Sequence, residues 1–148
     1  MGKILITYAS MSGNTEDIAD LLKKSLESLD HKIELLEIEY LEPTDLLNYD
    51  GILIGSYTWG DGDLPYEAED FYEDLADMDL SGKKAAVFGS GDTSYPKFCA
   101  AVDLFEERLK ECGAEVIEDG IKMEFAPEGK EEIDRCVEFA VRFAERMI

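Results

Sequence analysis

The chain repeats one pattern: a strand-length apolar run, a loop that contains glycine, and then apolar residues at helical spacing. The three clearest runs are residues 4–9, 52–54 and 85–88. Their apolar residues are largely continuous instead of alternating with polar ones, which indicates strands that are covered on both faces. The repeated succession of strand and helix therefore predicts a parallel sheet with helices on both sides.

Weaker signals complete the set of elements. Residues 33–38 alternate more and predict an edge strand, and a last strand begins at 114–117, after Gly113, and resumes at 121–125. Four helices are marked by apolar stripes: Ile18, Leu22, Leu26 and Leu29; Phe71, Leu75 and Met78; Phe98, Val102, Phe105 and Leu109; Ile133, Val137, Ala140 and Ala144. Five strand and helix units without a linker predict one domain over residues 1–148, a three-layer doubly wound α/β fold with a five-stranded parallel sheet.

The charge balance narrows the classes of partner. Asp and Glu number 35 and Lys and Arg 14, which gives a formal net charge of −21. Nucleic acids and anionic membranes attract basic surfaces, so we expect neither as a partner. The charge favours basic protein partners, which would be attracted in a salt-sensitive way. Solubility alone is the other explanation of this composition.

The cysteines and the first apolar run indicate the cellular compartment of the protein. Cys99, Cys112 and Cys136 are odd in number and widely spaced, without a CxxC motif, so we expect reduced and mostly buried thiols. The run after Lys3 is too short for a signal peptide or a membrane span. These features predict a cytoplasmic protein.

The loop after the first strand leads directly into a helix. Its sequence is Ser10-Met11-Ser12-Gly13-Asn14-Thr15. Hydroxyls, a glycine and the unpaired N–H groups of a helix start are typical of a phosphate cradle. The loop contains no Lys or Arg, so a phosphate would be held by neutral donors and the helix dipole. An ordinary helix N-cap is the alternative.

The loop after the third strand carries the only tryptophan of the chain. Its sequence is Ser56-Tyr57-Thr58-Trp59-Gly60-Asp61-Gly62-Asp63. Trp59 is either a buried plug or a platform on which a planar heterocycle stacks. The acids of this loop are not followed by the ladder and final Glu of a calcium-binding EF-hand, so we expect no calcium site.

The loop after the fourth strand again combines small residues with one aromatic. It reads Gly89-Ser90-Gly91-Asp92-Thr93-Ser94-Tyr95-Pro96. In an open parallel sheet ligands bind beyond the carboxyl ends of the strands, so the three loops should converge and Trp59 and Tyr95 can face each other. A simple turn at Tyr95-Pro96 is the alternative. A phosphorylated flat ring fits all three loops.

Together these three loops resemble those of the flavodoxin family, and the resemblance covers residues 1–148. It implies strand order 2-1-3-4-5 and one non-covalently bound FMN. The implied cofactor-binding residues are Ser10, Met11, Ser12, Gly13, Asn14, Thr15, Ser56, Tyr57, Thr58, Trp59, Gly60, Ser90, Gly91, Asp92 and Tyr95. By this likeness the first loop holds the FMN phosphate, and Trp59 and Tyr95 sandwich the isoalloxazine. Only residues 118–120 separate the halves of the last strand, which resembles the short-chain branch of the family.

The resemblance also implies a function: low-potential transfer of single electrons between redox enzymes. The expected partners are basic redox proteins such as NADPH-dependent flavodoxin reductases and acceptor oxidoreductases. They would dock transiently on an acidic rim, and the carrier would be a monomer without catalytic or metal-binding residues. We define the acidic rim by seven residues: Asp61, Asp63, Glu67, Glu69, Asp70, Glu73 and Asp74. A solvated helix face is the alternative explanation of these acids.

Three other functions are alternatives. A phosphoacceptor receiver domain shares the architecture but requires acids where this chain has Ile6-Thr7-Tyr8 and Ile54-Gly55-Ser56. An FMN-dependent quinone reductase is disfavoured because His31 lies far from the three loops and no paired acid and base appear there. The sequence does not distinguish a general electron carrier from a flavodoxin-like partner that serves a single enzyme system.

Overall fold

The structure, a computed structural model, describes residues 3–10, 13–29, 31–59, 62–93 and 97–147. Within them the chain forms six strands and four α-helices. In chain order these are β1 (Lys3–Ala9), α1 (Asn14–Glu27), β2 (Lys32–Glu37), β3 (Gly51–Tyr57), α2 (Tyr66–Leu75), β4 (Lys84–Gly91), α3 (Ala100–Glu111), β5 (Glu115–Val116), β6 (Ile121–Glu124) and α4 (Lys130–Arg146). Two short 3₁₀ helices, Ile38–Tyr40 and Pro43–Asn48, connect β2 to β3.

All the strand pairs are parallel, and the order is β2-β1-β3-β4-β5. This confirms the predicted order. The fifth position is filled by two segments, because β5 pairs with the start of β4 and β6 with its end. The chain departs from β4 between them, after the Ile117 N–H bonds the Ala85 carbonyl, and residues 118–120 are the interruption that the sequence indicates.

Alternate residues of the central strands pack into two separate cores. Ile4 and Ile6 belong to a core that includes Phe139 of α4, together with the apolar stripe of α1. Leu5 faces the other core, which includes Phe105 of α3 and the apolar stripe of α2. Burial of both faces explains why the strands read as apolar runs.

Three of the four helices stop short, at one end, of the apolar stripes that predict them. Leu29 lies beyond the end of α1 and is exposed, whereas Met78 and Phe98 lie outside α2 and α3 but still pack against the core. The apolar pattern therefore extends beyond the ends of these helices, because residues in the adjoining turns can also pack against the core. Ile133 lies within α4 but is exposed.

No helix in the described ranges is long and apolar enough to cross a membrane.

The three cysteines are buried and unpaired, as predicted. Burial raises the pKa of Cys99 and Cys136 to about 11 and also raises the pKa of Cys112. Thiols with such pKa values are protonated near neutral pH, so they are inert as nucleophiles.

The register of the sheet brings the three loops together. Ala9 at the end of β1 pairs with Ser56, and Tyr57 at the end of β3 pairs with Ser90. The loops that follow β1, β3 and β4 therefore begin side by side at one edge, next to the point where the strand order reverses.

Candidate functional site

The loop after β1 forms an uncharged cradle at the start of α1. Ser10 Oγ accepts hydrogen bonds from the N–H of Gly13 at 3.1 Å and of Glu16 at 3.4 Å. Gly13 adopts φ +92°, a left-handed conformation that glycine reaches without strain. The Asn14 and Thr15 amides have no partner within the helix, because the first turn of a helix leaves its donors free.

This cradle fits a phosphate group. Its donors are the free amides and the Ser10 hydroxyl, and the positive end of the α1 dipole adds to them. Glu16 in the first turn would oppose an anion, but its carboxylate accepts a hydrogen bond from Tyr8 Oη at 3.0 Å. Burial and this carboxylate raise the pKa of Tyr8. Met11 and Ser12 lie outside the described residues, so their predicted contacts remain predictions.

A buried hydrogen bond joins the first loop to the third. The hydroxyl oxygens of Thr15 and Ser90 lie 2.6 Å apart, and both residues are almost fully buried. Because these hydroxyls bond each other, we expect Thr15 and Ser90 to contact the cofactor through their backbones. The bond fixes the spacing between the cradle and the end of β4.

The loop after β3 folds into a narrow hairpin that presents Trp59. Trp59 and Asp63 exchange two backbone hydrogen bonds, of 2.8 and 2.9 Å. Gly62 lies within the hairpin at φ +91°, and Gly60 and Asp61 lie outside the described residues. The tryptophan is 54% exposed, so it is not a buried plug. It is available for stacking on a planar ring.

The other polar side chains of this loop hold its shape. Ser56 donates to the Tyr57 carbonyl at 2.8 Å, and Thr58 Oγ1 accepts from the Ala101 N–H at 3.0 Å, in the first turn of α3. Tyr57 Oη donates to Glu67 at 3.1 Å. Burial, together with this bond, raises the pKa of Tyr57 to about 12. These three residues position Trp59 more than they offer side chains to a ligand.

The last residues of β4, which lead into the third loop, pack closely against their neighbours. A Cβ on Gly91 would lie 3.0 Å from the Cys99 Sγ, and one on Gly89 would lie 2.6 Å from the Ser56 carbonyl oxygen. Glycine is therefore required at position 89, and a side chain at position 91 would be crowded by Cys99. Asp92 is partly exposed beside them, and Tyr95 lies outside the described residues. The sandwich of a ring between Trp59 and Tyr95 remains a prediction.

Lys97 is a neighbour of the site that the sequence pattern does not single out. A Cβ on Gly62 would lie 2.5 Å from the Lys97 Cδ, so the aliphatic stem of the lysine packs on the Trp59 hairpin. Its ammonium forms no ion pair with any residue in the described ranges. The only available signal was its position: it is the first basic residue after the third loop.

The only histidine of the chain lies away from the three loops. It is His31, which immediately precedes β2 and so lies at the opposite, amino-terminal edge of the sheet. Across the described ranges, no three His, Cys, Asp or Glu side chains form a group that could hold a metal ion. The arrangement is suited to binding a phosphorylated ring.

Comparison with known families agrees with this geometry. The family described as Flavodoxin matches residues 6–139 of the chain. The chain belongs to the flavodoxin family. Membership makes it an electron-transfer flavoprotein that binds FMN, as the three loops predict.

Similarity to individual flavodoxins extends over almost the whole chain. "Probable flavodoxin 1" of Bacillus subtilis is 54% identical over 143 residues, which is 97% of this chain and 90% of that protein. The crystal structure of oxidised flavodoxin 2 from Bacillus cereus is 61% identical with a TM-score of 0.96, covering 97% of this chain and 99% of that one. A short-chain flavodoxin associated with a bacterial microcompartment is 34% identical with a TM-score of 0.96, covering 100% of both chains. These matches support the assignment to short-chain flavodoxins.

Proposed function

We propose that the chain is a single-domain carrier over residues 1–148, which moves single electrons between redox enzymes and performs no enzymatic reaction of its own. The observation that carries this proposal is the convergence of the uncharged cradle and the half-exposed Trp59 at one sheet edge. The cradle binds a phosphate, and the tryptophan offers a stacking face that stays accessible to a partner.

The residues divide by task. Ser10, Gly13, Asn14 and Thr15, with Met11 and Ser12, hold the phosphate. Trp59 and Tyr95 cover the two faces of the ring. The remaining cofactor-binding residues shape the loops or offer backbone contacts: Ser56, Tyr57, Thr58, Gly60, Ser90, Gly91 and Asp92. Bound FMN supplies the one-electron chemistry, and the chain supplies orientation and an electrostatic environment.

The electrostatic environment favours a low potential. The first loop contains no cation, and the chain carries a formal net charge of −21. Neighbouring carboxylates disfavour additional negative charge at the cofactor. A reduced cofactor would therefore be a strong electron donor.

The partners are basic redox proteins, among them NADPH-dependent flavodoxin reductases and acceptor oxidoreductases, that dock transiently on the acidic rim. Glu67, Glu69, Asp70, Glu73 and Asp74 lie along α2, directly after the Trp59 hairpin. Electrostatic attraction of this kind steers encounter and is weakened by salt. We place the carrier in the cytoplasm as a monomer.

The test uses the purified protein. We expect a yellow protein whose released cofactor is FMN, and an apoprotein whose Trp59 fluorescence is quenched when FMN is added. Trp59→Ala should weaken FMN binding by about tenfold or more, because ring stacking is lost. Tyr40→Ala, at another exposed aromatic, should leave FMN affinity unchanged.

Two results would contradict the proposal. A colourless protein that takes up no added FMN would show that the proposed cofactor site does not exist. Sustained oxidation of NADPH by the FMN-loaded protein with a quinone, and without a reductase, would show an enzyme instead of a carrier.

A further inference from the structure

A groove of about 380 Å³ runs between α2 and the 3₁₀ segment that follows β2. Its floor is apolar: Ile38, Leu41 and Phe71 line it, and each is at least nine-tenths buried. Tyr66 lines the mouth with 86% of its surface exposed. The groove therefore offers an apolar floor and an aromatic rim to a binding segment.

Both walls of the groove are acidic. Glu39 and Glu42 line one wall, and Glu67, Asp70 and Asp74 line the other. None of the described residues that line the groove is basic, and these carboxylates form no ion pair with any other residue that the structure describes. Like charges on facing walls create a negative potential between them, which attracts a cationic side chain.

Only one face of α2 contributes to the groove. Glu67, Asp70 and Asp74 line it, whereas Glu69 and Glu73 do not, although all five belong to the acidic rim. Residues three and four apart share a helix face, so the rim divides into a groove face and an outer face. The sequence of the acidic rim alone does not show which of its residues line the groove.

The groove is continuous with the cofactor site. A smaller crevice, lined by Ser10 and Tyr8, shares Ile38, Glu39 and Glu67 with the groove. Glu67 also accepts the hydrogen bond from Tyr57, the last residue of β3. A partner held in the groove is therefore placed beside the loops that carry FMN.

We propose that this groove, and not the acidic rim as a whole, is the docking site for an amphipathic basic segment of the redox partner, with apolar side chains on the floor and Lys or Arg between the walls. The inference rests on the proposed carrier function, because only a carrier requires such a partner. A second copy of this chain is disfavoured as the occupant, since its net charge is also −21.

The test compares two double variants of the FMN-loaded protein. Asp70→Asn with Asp74→Asn neutralises the groove face, and Glu69→Gln with Glu73→Gln neutralises the outer face. Both pairs lie on α2 and remove two negative charges. The probe is cytochrome c, a basic haem protein, at ~0.01 M ionic strength, where screening is weak.

The first measurement is a map of amide chemical shifts in the oxidised protein on addition of reduced cytochrome c. We expect shifts along residues 38–43 and the groove face of α2, and loss of binding in the Asp70 and Asp74 variant only. Chemical-shift changes confined to the loops after β3 and β4 would overturn the proposal that the partner docks in the groove. Because no electron transfer is required, this result is independent of the carrier function.

The second measurement is the bimolecular rate of electron transfer from the dithionite-reduced protein to oxidised cytochrome c. We expect a fall of about fivefold for the groove variant and less than about twofold for the outer variant. Equal falls would show steering by net charge alone and would overturn the proposal, as would no fall in either. Binding in the groove without any electron transfer by the unmodified protein would instead reject the carrier function.

Discussion

The aliphatic stem of Lys97 packs on Gly62, and so joins the chain that follows the third loop to the Trp59 hairpin. A Cβ added at Gly62 would lie 2.5 Å from the Lys97 Cδ, and Gly62 is held at φ +91°. The left-handed backbone favours glycine at this position, and an alanine there would also displace the lysine stem. The contact connects the segments that carry the two predicted stacking aromatics.

Gly62→Ala should weaken FMN binding in addition to destabilising the fold. The left-handed backbone alone costs about 1–2 kcal/mol for an alanine. Gly82→Ala is the matched control, because Gly82 has φ +85° but open space around its Cβ position. We expect both variants to lower the urea midpoint, and only Gly62→Ala to raise the Kd of FMN. Equal FMN affinity in the two variants would contradict the proposed coupling of this contact to the site.

Removing both partners of the Thr15 and Ser90 hydrogen bond should cost less stability than the sum of removing each one alone. Thr15→Val leaves the buried Ser90 hydroxyl without its partner, at a cost of about 1–3 kcal/mol, and Ser90→Ala does the same to Thr15. In the double variant neither hydroxyl of this pair remains, so neither is left buried without its partner. Urea denaturation of the four proteins should therefore give a cost well below the sum of the single variants. If the losses in unfolding free energy of the two single variants simply add up in the double variant, the two hydroxyls are not energetically coupled.

Much of the fold was predictable because each β-strand is defined by local sequence. Residues 4–9, 52–54 and 85–88 are apolar runs, and they became β1, β3 and β4 because both of their faces are buried. The convergence of the three loops followed from the rule that parallel strands present their carboxyl ends at one edge. The strand order did not follow from periodicity and required the resemblance to flavodoxins.

Contacts between residues distant in sequence could not be predicted. Thr15 and Ser90 are 75 positions apart, and either hydroxyl alone was equally compatible with a ligand contact. Glu39 and Glu42 were not assigned to the docking surface, because their 3₁₀ segment has no helical period to show which wall they line. Such pairings depend on tertiary packing, which a pattern within one segment does not encode.

Replacing Tyr57 with phenylalanine should flatten the loss of stability at alkaline pH. The folded-state pKa of Tyr57 is raised to about 12, above the value near 10 of an unfolded tyrosine. The stabilisation from its neutral hydroxyl is therefore complete below about pH 10 and is lost as the pH rises towards 12. Urea midpoints between these pH values should fall more steeply in the unmodified protein than in Tyr57→Phe. Tyr40→Phe, at an exposed tyrosine, is the control, and identical slopes for Tyr57→Phe and the unmodified protein would contradict the assignment.

FMN should protect Cys99 from alkylation more than it protects Cys136. Both thiols have a pKa of about 11, so only about one in a thousand is ionised at pH 8 and reaction requires local opening. Cys99 Sγ lies next to Gly91, the last residue of β4 before the third loop, whereas Cys136 is buried against the other face of the sheet. A bound cofactor that orders the third loop would slow opening at Cys99 selectively. Alkylation with iodoacetamide, followed by peptide mass spectrometry of the apoprotein and the FMN-loaded protein, measures both rates in one sample. Equal protection of the two thiols would mean that FMN stabilises the whole fold, without preference for the third loop.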